Sequence, residues 1–484
     1  MEEGQVSEKR SSSKDLAERV RAESKETWRI AFPSMLTKIC LFGMVVVTQA
    51  FIGRIGELEL AAYSLIQIIT VRFGQGTLVG MSSATETLCG QAFGAKQHHM
   101  MGIYLQKSWI INFITATLLL PVFIFSNQIF KLIGQKADIS DKAGTIALWF
   151  IPYLYSFVFN QSIQKYLQTQ LKNMIVGWLS VIAILLHLVL SWIFVAKLNL
   201  GVSGAMGSLI ISIWFIVIGD FVYIFGGWCP NTWNGFTFTA FSDLWPIFKL
   251  SVSSGVMLCL ELWYFAILVL LAGYMKNATI AISAFSICVN LTTWDYNLCL
   301  GFLSSTSVRT ANELGRGDAK ATKIAIKVNL ATSVSIGVVF WIICLAFGHK
   351  IAYLFTSKEE VAKYVSTLSL LLAFSVLLNS FQAVLSGAAI GAGRQSTVAY
   401  VNIFCYYVVG LPLGVLLGFV LHLHVKGIWI GMIVGVLLQV SVLGYITSTT
   451  NWDEQVKKAS QRLNRYYKPS EESNGKCAEE TVNA

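Results

Sequence analysis

Two carboxylates stand in stretches where an apolar chain has little reason to place them. Glu261 lies inside MLCLELWYFAILVLL and Asp295 inside NLTTWDYNL. An ionisable side chain at bilayer depth costs several kcal/mol unless it meets water or a partner, so each marks a candidate site. Burial disfavours the charged form of a carboxyl, which brings protonation within reach of a pH difference between compartments. Reversible proton binding is therefore the chemistry these two residues offer. Neutral polar groups stand on stretches of the C-terminal half: Asn290, Asn379, Gln382, Asn402, and the adjacent Tyr406 and Tyr407. Trp263 and Trp294 add aromatic faces on which a planar solute can stack. The same residue types also hydrogen-bond helices to one another. Other ions read as structural. Asp220, near the end of WFIVIGDFVYIF, reads as a charge snorkelling to the interface. Glu86 and Glu313 read as helix-end caps or partners of Arg309 and Arg316, and His187 as a satisfied core histidine. Lys38 has no visible partner.

The elements that must position these groups are membrane helices. Of 484 residues 55% are hydrophobic and 13% charged, against about 25% charged in an average soluble domain. Soluble enzymes, nucleic-acid binders and disordered scaffolds are excluded on that ground. The +10 net charge suits basic residues flanking spans. Nine dispersed cysteines form no disulfide framework. A span needs roughly 20 mostly apolar residues, and twelve stretches qualify, near 30–53, 60–84, 108–129, 144–166, 174–197, 201–226, 250–273, 279–303, 326–348, 366–389, 397–421 and 427–448. The second and eighth are the weakest by hydropathy. With an even span count, 24 Lys and Arg fall on the side of the two tails and ten on the other. That bias predicts cytosolic termini.

The chain also repeats itself. GMSSATETLCGQAFGAK from Gly80 lies over GFLSSTSVRTANELGRGD from Gly301 at an offset of 221, which registers Ser83 with Ser304, Gln91 with Asn312 and Gly94 with Gly315. An even repeat unit keeps its orientation, so two six-helix halves should be related by an axis along the membrane normal. The expected organisation is a cytosolic segment 1–29, a lobe 30–226, a cytosolic linker 227–249, a lobe 250–448 and a cytosolic, largely disordered tail 449–484. The same register places Arg72 opposite residue 293, so Asp295 has a second reading, as the balance for Arg72.

GELELAA (56–62), ETLCGQAFGAKQ (86–97), MLCLELWY (257–264), ANELGRGDA (311–319), VLSGAAIGAG (384–393) and VKGIWIGMIVG (425–435) resemble the multidrug and toxic compound extrusion (MATE) family, in its plant "detoxification" branch. The resemblance implies an all-α membrane protein with twelve helices in two lobes, no enzyme, and secondary antiport of small organic solutes. H⁺ is the exchanged ion usual for plant members; Na⁺ is the family's alternative. It implies no cofactor, with the energy drawn from the gradient, and a monomer whose partners are solute, proton and lipid, not nucleic acid. The family's acidic residue on the seventh helix falls on Glu261. Many relatives carry Asp where this chain has Asn379, and the flavonoid-type vacuolar branch, which the stretch around CYY resembles, often has Asn. The vacuolar membrane is the location that branch favours, with the plasma membrane the alternative. A Na⁺-coupled organic cation exporter is the runner-up reading. A channel or a membrane-embedded enzyme is less well supported, because no HExxH, GxSxG or paired intramembrane aspartates occur and the six His are dispersed.

Overall fold

The computed structural model describes residues 2–273, 278–351 and 359–466. Its long helices are α1 (Glu2–Ile55), α2 (Glu57–Ile66, the π-helical Gln67–Val71 and Arg72–Gly94), α3 (His98–Ile124), α4 (Ala137–Thr169), α5 (Met174–Lys197) and α6 (Gly201–Trp228). The second half repeats the pattern with α7 (Trp245–Gly273), α8 (Ala278–Arg316), α9 (Ala319–Ile351), α10 (Glu359–Gly391), α11 (Gln395–Val420) and α12 (His424–Thr449). A final α13 (Trp452–Tyr466) packs against the end of α8 and the start of α9.

The helices stop at repeat-related places for a common reason. After α2, Lys96 turns left-handed (φ 60°) and the Gln97 N–H returns to the Ala92 carbonyl at 2.9 Å. After α8, at an offset of 221, Gly317 (φ 88°) lets Asp318 N–H return to Glu313 at 3.0 Å. Helices α4 and α10 end alike, through Leu171 and Gly393. Each closure satisfies carbonyls that the last helical turn leaves without partners.

The two largest apolar cores are separate, one in each lobe. One draws on α1 to α6, with Met44, Tyr63, Phe123, Phe150 and Ile213, and the other on α7 to α12, with Tyr264, Leu303, Leu372, Tyr406 and Trp429. Among the described residues ten helices are long and apolar enough to cross a membrane, and α2 and α8 are not among them. These are the two stretches weakest in hydropathy. They can carry Ser, Thr, Glu and Gln because they pack between the lobes, where buried hydroxyls bond backbone carbonyls: Ser82 to Leu78 at 2.8 Å, Thr306 to Phe302 at 2.7 Å.

The lobes meet through the repeated segment itself. Gly94 lies against the Asn312 carbonyl and Gly315 against the Gln91 carbonyl, the same pair of positions exchanged. A two-fold relation between the halves requires that reciprocity. Gln91 donates to the Gly391 carbonyl and Asn312 to the Thr169 carbonyl, each at 3.3 Å. Further along, Gly80 abuts Gly255 of α7, while Gly301 abuts Ala31 and Met35 of α1. The contact finishes in two ring pairs: Phe73 with Trp263 at 5.8 Å, and Phe42 with Trp294 at 5.0 Å.

Two regions outside the apolar spans are helical. The polar stretch before residue 30 is the continuous start of α1, and its Glu23 grips Arg309 of the opposite lobe through two bonds of 2.7 Å. The tail from 449 opens with an ordered amphipathic helix. Trp452, Ala459 and Leu463 of α13 are buried, and Asn451 caps it by accepting from Asp453 N at 3.1 Å. The rest of that tail, from residue 467, lies outside the described residues.

Candidate functional site

Glu261 sits at the head of a closed ring of hydrogen bonds inside the second lobe. Its Oε1 accepts from Tyr296 of α8 at 2.8 Å and from Gln382 Nε2 of α10 at 2.7 Å. Gln382 Nε2 also reaches Tyr406 Oη at 3.0 Å, and Tyr406 donates to Gln439 Oε1 of α12 at 2.6 Å. Gln439 Nε2 donates to Asn402 Oδ1 at 2.6 Å, and Asn402 returns to α7 on the Met257 carbonyl at 3.4 Å. Met257 and Glu261 are one turn apart on α7, so the ring spans four helices and closes on one. Tyr264 stacks on Tyr406 at 4.5 Å with ring planes 4° apart, and Tyr407 donates to the Leu260 carbonyl at 2.8 Å. The π-helical Ile403–Gly410 carries both tyrosines; such wide turns often mark functional sites.

Asp295 lies beside this ring, buried, with Asn379 Nδ2 on its Oδ2 at 3.0 Å. Asn379 and Gln382 are three residues apart on α10, so one helix face presents an amide to each carboxyl. Among the described residues no cation pairs with Glu261 or Asp295. Arg72 is exposed instead of paired with Asp295. It lies five turns from Gly90 on α2, on the side that meets Ala311 of α8 at the terminal end.

Of the sequence candidates, Glu261, Gln382, Asn402 and Tyr406 share the ring, Tyr407 bonds to α7 beside it, and Asn379 holds Asp295. Trp263 and Trp294 pack on rings of the first lobe, half-exposed, and Asn290 is exposed on α8 outside the ring. Sequence reasoning missed Tyr296, Tyr264 and Gln439. Gln439 had a visible signal, as the one amide inside GMIVGVLLQVSVLGY.

The first lobe holds a different set. Glu86 pairs with Lys165 of α4, where the sequence reading gave it Arg309 or Arg316; those two arginines bind Glu313, at 2.6 and 3.1 Å. Asp220 is fully buried with no hydrogen bond to either oxygen among the described residues, which rules out snorkelling. His187 bonds Thr48 Oγ1 at 3.0 Å in the core, as expected. Among the described residues no group of three His, Cys, Asp or Glu could hold a metal ion.

A family model described as MatE matches residues 33–193 and 254–416, two stretches that begin 221 residues apart, the offset of the repeat. The chain belongs to the MATE family. It is similar to Protein DETOXIFICATION 24 of Arabidopsis thaliana, with 50% identity covering 99% of this chain and 97% of that one. Protein DETOXIFICATION 25 of the same plant is 50% identical over 95% and 93%. The crystal structure of the eukaryotic MATE transporter AtDTX14 superposes with a TM-score of 0.86 at 32% identity, covering 92% of this chain and 100% of that one. The bent form of the Vibrio cholerae MATE transporter VcmN shares the fold, with a TM-score of 0.74 at 18% identity over 93% and 99%. This MATE protein is therefore an integral multi-pass transporter and not an enzyme, with its transmembrane helices in two lobes.

Proposed function

We propose that this MATE transporter is a proton-driven antiporter for small organic solutes, with Glu261 as the coupling carboxyl. The observation that carries the reading is a buried carboxylate held by two neutral donors, Tyr296 and Gln382, with no cation beside it among the described residues. An ion pair would fix its charge; neutral partners leave it free to exchange a proton. Ionised, Glu261 accepts from both donors and can hold a cationic or hydrogen-bond-donating solute. Protonated, it needs an acceptor, and Gln382 Oε1 is buried with no partner among the described residues. A turn of that amide would offer its oxygen to the carboxyl proton and withdraw its N–H from Glu261. Protonation then rewrites the ring, weakens the solute site and releases the solute on the acidic side. Asp295 with Asn379 would assist the proton relay or accept a bond from the solute. Asn402, Tyr406 and Tyr407 would line the solute site, with Trp263, Trp294 and Asn290 nearer the seam between lobes.

The resemblance to the flavonoid-type branch favours glycosylated flavonoids or alkaloids as solutes, a vacuolar membrane, cytosolic termini and a monomer. The test is uptake into sealed vesicles under an imposed pH gradient, with a Na⁺ gradient as the second arm. Glu261→Gln keeps an oxygen for Tyr296 and Gln382, so it should reach the membrane folded and lose gradient-driven uptake. Uptake at the wild-type rate by Glu261→Gln would make the residue structural. Uptake driven by the Na⁺ gradient alone would replace the proton in the scheme.

A further inference from the structure

We propose that α13 is a clasp between the lobes: it rides on the second lobe and holds the terminal end of the transporter shut through Leu463, which is set into the first. Its sequence gives it one apolar face. Trp452, Gln455, Ala459 and Leu463, spaced three and four apart, are buried, while Lys457, Lys458, Ser460, Gln461 and Asn464 are exposed. The buried face rests on both lobes. Trp452 and Ala459 share a cluster with Leu314 of α8, Ala319 of α9 and Ala388 of α10. Leu463 belongs instead to the cluster of Leu88 and Ala92 of α2 with Leu167 of α4, and α13 packs against α2.

The two attachments differ in kind. On the second lobe, Arg462 donates to the Ala392 carbonyl at 2.9 Å and to the Gly393 carbonyl at 3.3 Å, at the closure of α10. Arg394 of the same closure donates to Thr450 Oγ1, just ahead of α13, at 2.7 Å. Lifting α13 from this lobe would strand those groups. Leu463 can withdraw from α2 and leave no donor or acceptor behind, so the first-lobe attachment is the one that yields. Leu88 and Leu314, on which the two attachments rest, flank the point where Gly90 of α2 meets Ala311 of α8. Alternating access by rocking of one lobe against the other parts the lobes at that end. Leu463 must leave α2 for them to do so.

The clasp is independent of proton exchange at Glu261, and its test reads distance and not uptake. Spin labels on Lys96→Cys and Lys323→Cys, exposed at this end of the first and second lobes, report their separation by double electron–electron resonance. The protein is full-length, without its native cysteines, in lipid nanodiscs. Leu463→Ala should raise the ratio of long to short distances about tenfold, the change that about 1.4 kcal/mol produces. Leu463→Met keeps the volume and should match wild type, as should Glu454→Gln, which removes an exposed pair with Lys458. Val456→Pro breaks α13 ahead of Leu463 and should reproduce the shift even where Leu463→Ala does not yield folded protein. A second label pair, Gln461→Cys on α13 with Lys323→Cys, should keep its distance in the Leu463→Ala protein, because the helix stays on its own lobe. A wild-type distribution in folded Leu463→Ala or Val456→Pro overturns the proposal, and so does a lengthening of the second pair. Failure of both variants to fold assigns α13 to the stability of the fold and overturns it as well.

Discussion

Replacing Gly94 or Gly315 by alanine tests the reciprocal crossing of α2 and α8. A methyl on Gly94 would fall within the contact radius of the Asn312 carbonyl oxygen, and one on Gly315 within that of Gln91. Both obstacles are backbone, so no side chain can swing aside and the helices themselves must part. Overpacking of a close contact costs about 1–3 kcal/mol. The cost falls on the state in which the lobes touch at the terminal end, because only there do the two helices approach. At about 1.4 kcal/mol per factor of ten, each substitution should raise the population of the separated state by roughly 5- to 150-fold. The two act on one contact, so the double variant should fall short of the sum. A cysteine at Thr310, buried at this crossing, reports the separation through its rate of thiol labelling in a background without the native cysteines. Gly207→Ala is the control, since nothing lies within 4 Å of a methyl there. Labelling of Gly94→Ala and Gly315→Ala at the control rate would show that the crossing does not hold the lobes together. A large response from only one of them would break the two-fold relation.

Tyr406→Phe should lower stability by about 2–4 kcal/mol in thermal unfolding, because it strands Gln439 Oε1 and a Gln382 N–H in the buried ring. Tyr407→Phe loses one bond to Leu260 and should cost about 1 kcal/mol; equal effects would mean the ring is not closed as described. Arg309→Met leaves Glu23 without its partner across the lobes and should cost about 3–5 kcal/mol. Adding Glu23→Leu should restore much of that loss, and a double variant as unstable as the single would assign the cost to Arg309 packing alone.

How much of this was legible in the sequence depended on distance along the chain. The repeat offset placed Gly94 and Gly315 in register, and two apolar cores followed from twelve apolar stretches. Glu261 and Gln382 stood out because a polar residue inside an apolar run must have a partner or a task. Which partner was not legible. Gln382 reaches Tyr406 across 24 positions and Glu261 across 121, and the phase of Tyr406 depends on a π-helical stretch that 3.6-residue periodicity cannot anticipate. Trp263 and Trp294 looked like solute faces from composition, yet their repeat relation to Phe42 and Phe73 already contained the ring pairs at the seam. Glu86 was given arginine partners because they are near in the motif; the fold brings α4 against α2 and puts Lys165 there first.

The duplicated frame also explains why the two lobes can do different chemistry at equal depth. Glu86 and Ser307 are equivalent at the offset of 221, while α4 and α10 register at 222 by their closures at Leu171 and Gly393, which pairs Asn160 with Gln382 and Gln164 with Ser386. In the second lobe Gln382 holds a carboxyl, while Ser307 and Ser386 have hydroxyls with no hydrogen-bond partner among the described residues. In the first lobe the amide of Asn160 is unbonded among the described residues, Glu86 stands at the Ser307 position in an ion pair with Lys165, and Gln164 stands at the Ser386 position. Glu261 has no acidic counterpart, because the matching stretch of α1 reads Cys40 and Leu41. Burial is set by the shared backbone, so the residue at each equivalent position decides whether a lobe holds an ion pair or a carboxyl without a cation. The second lobe holds its carboxyl with the neutral donors Tyr296 and Gln382, and the first holds Glu86 with a lysine.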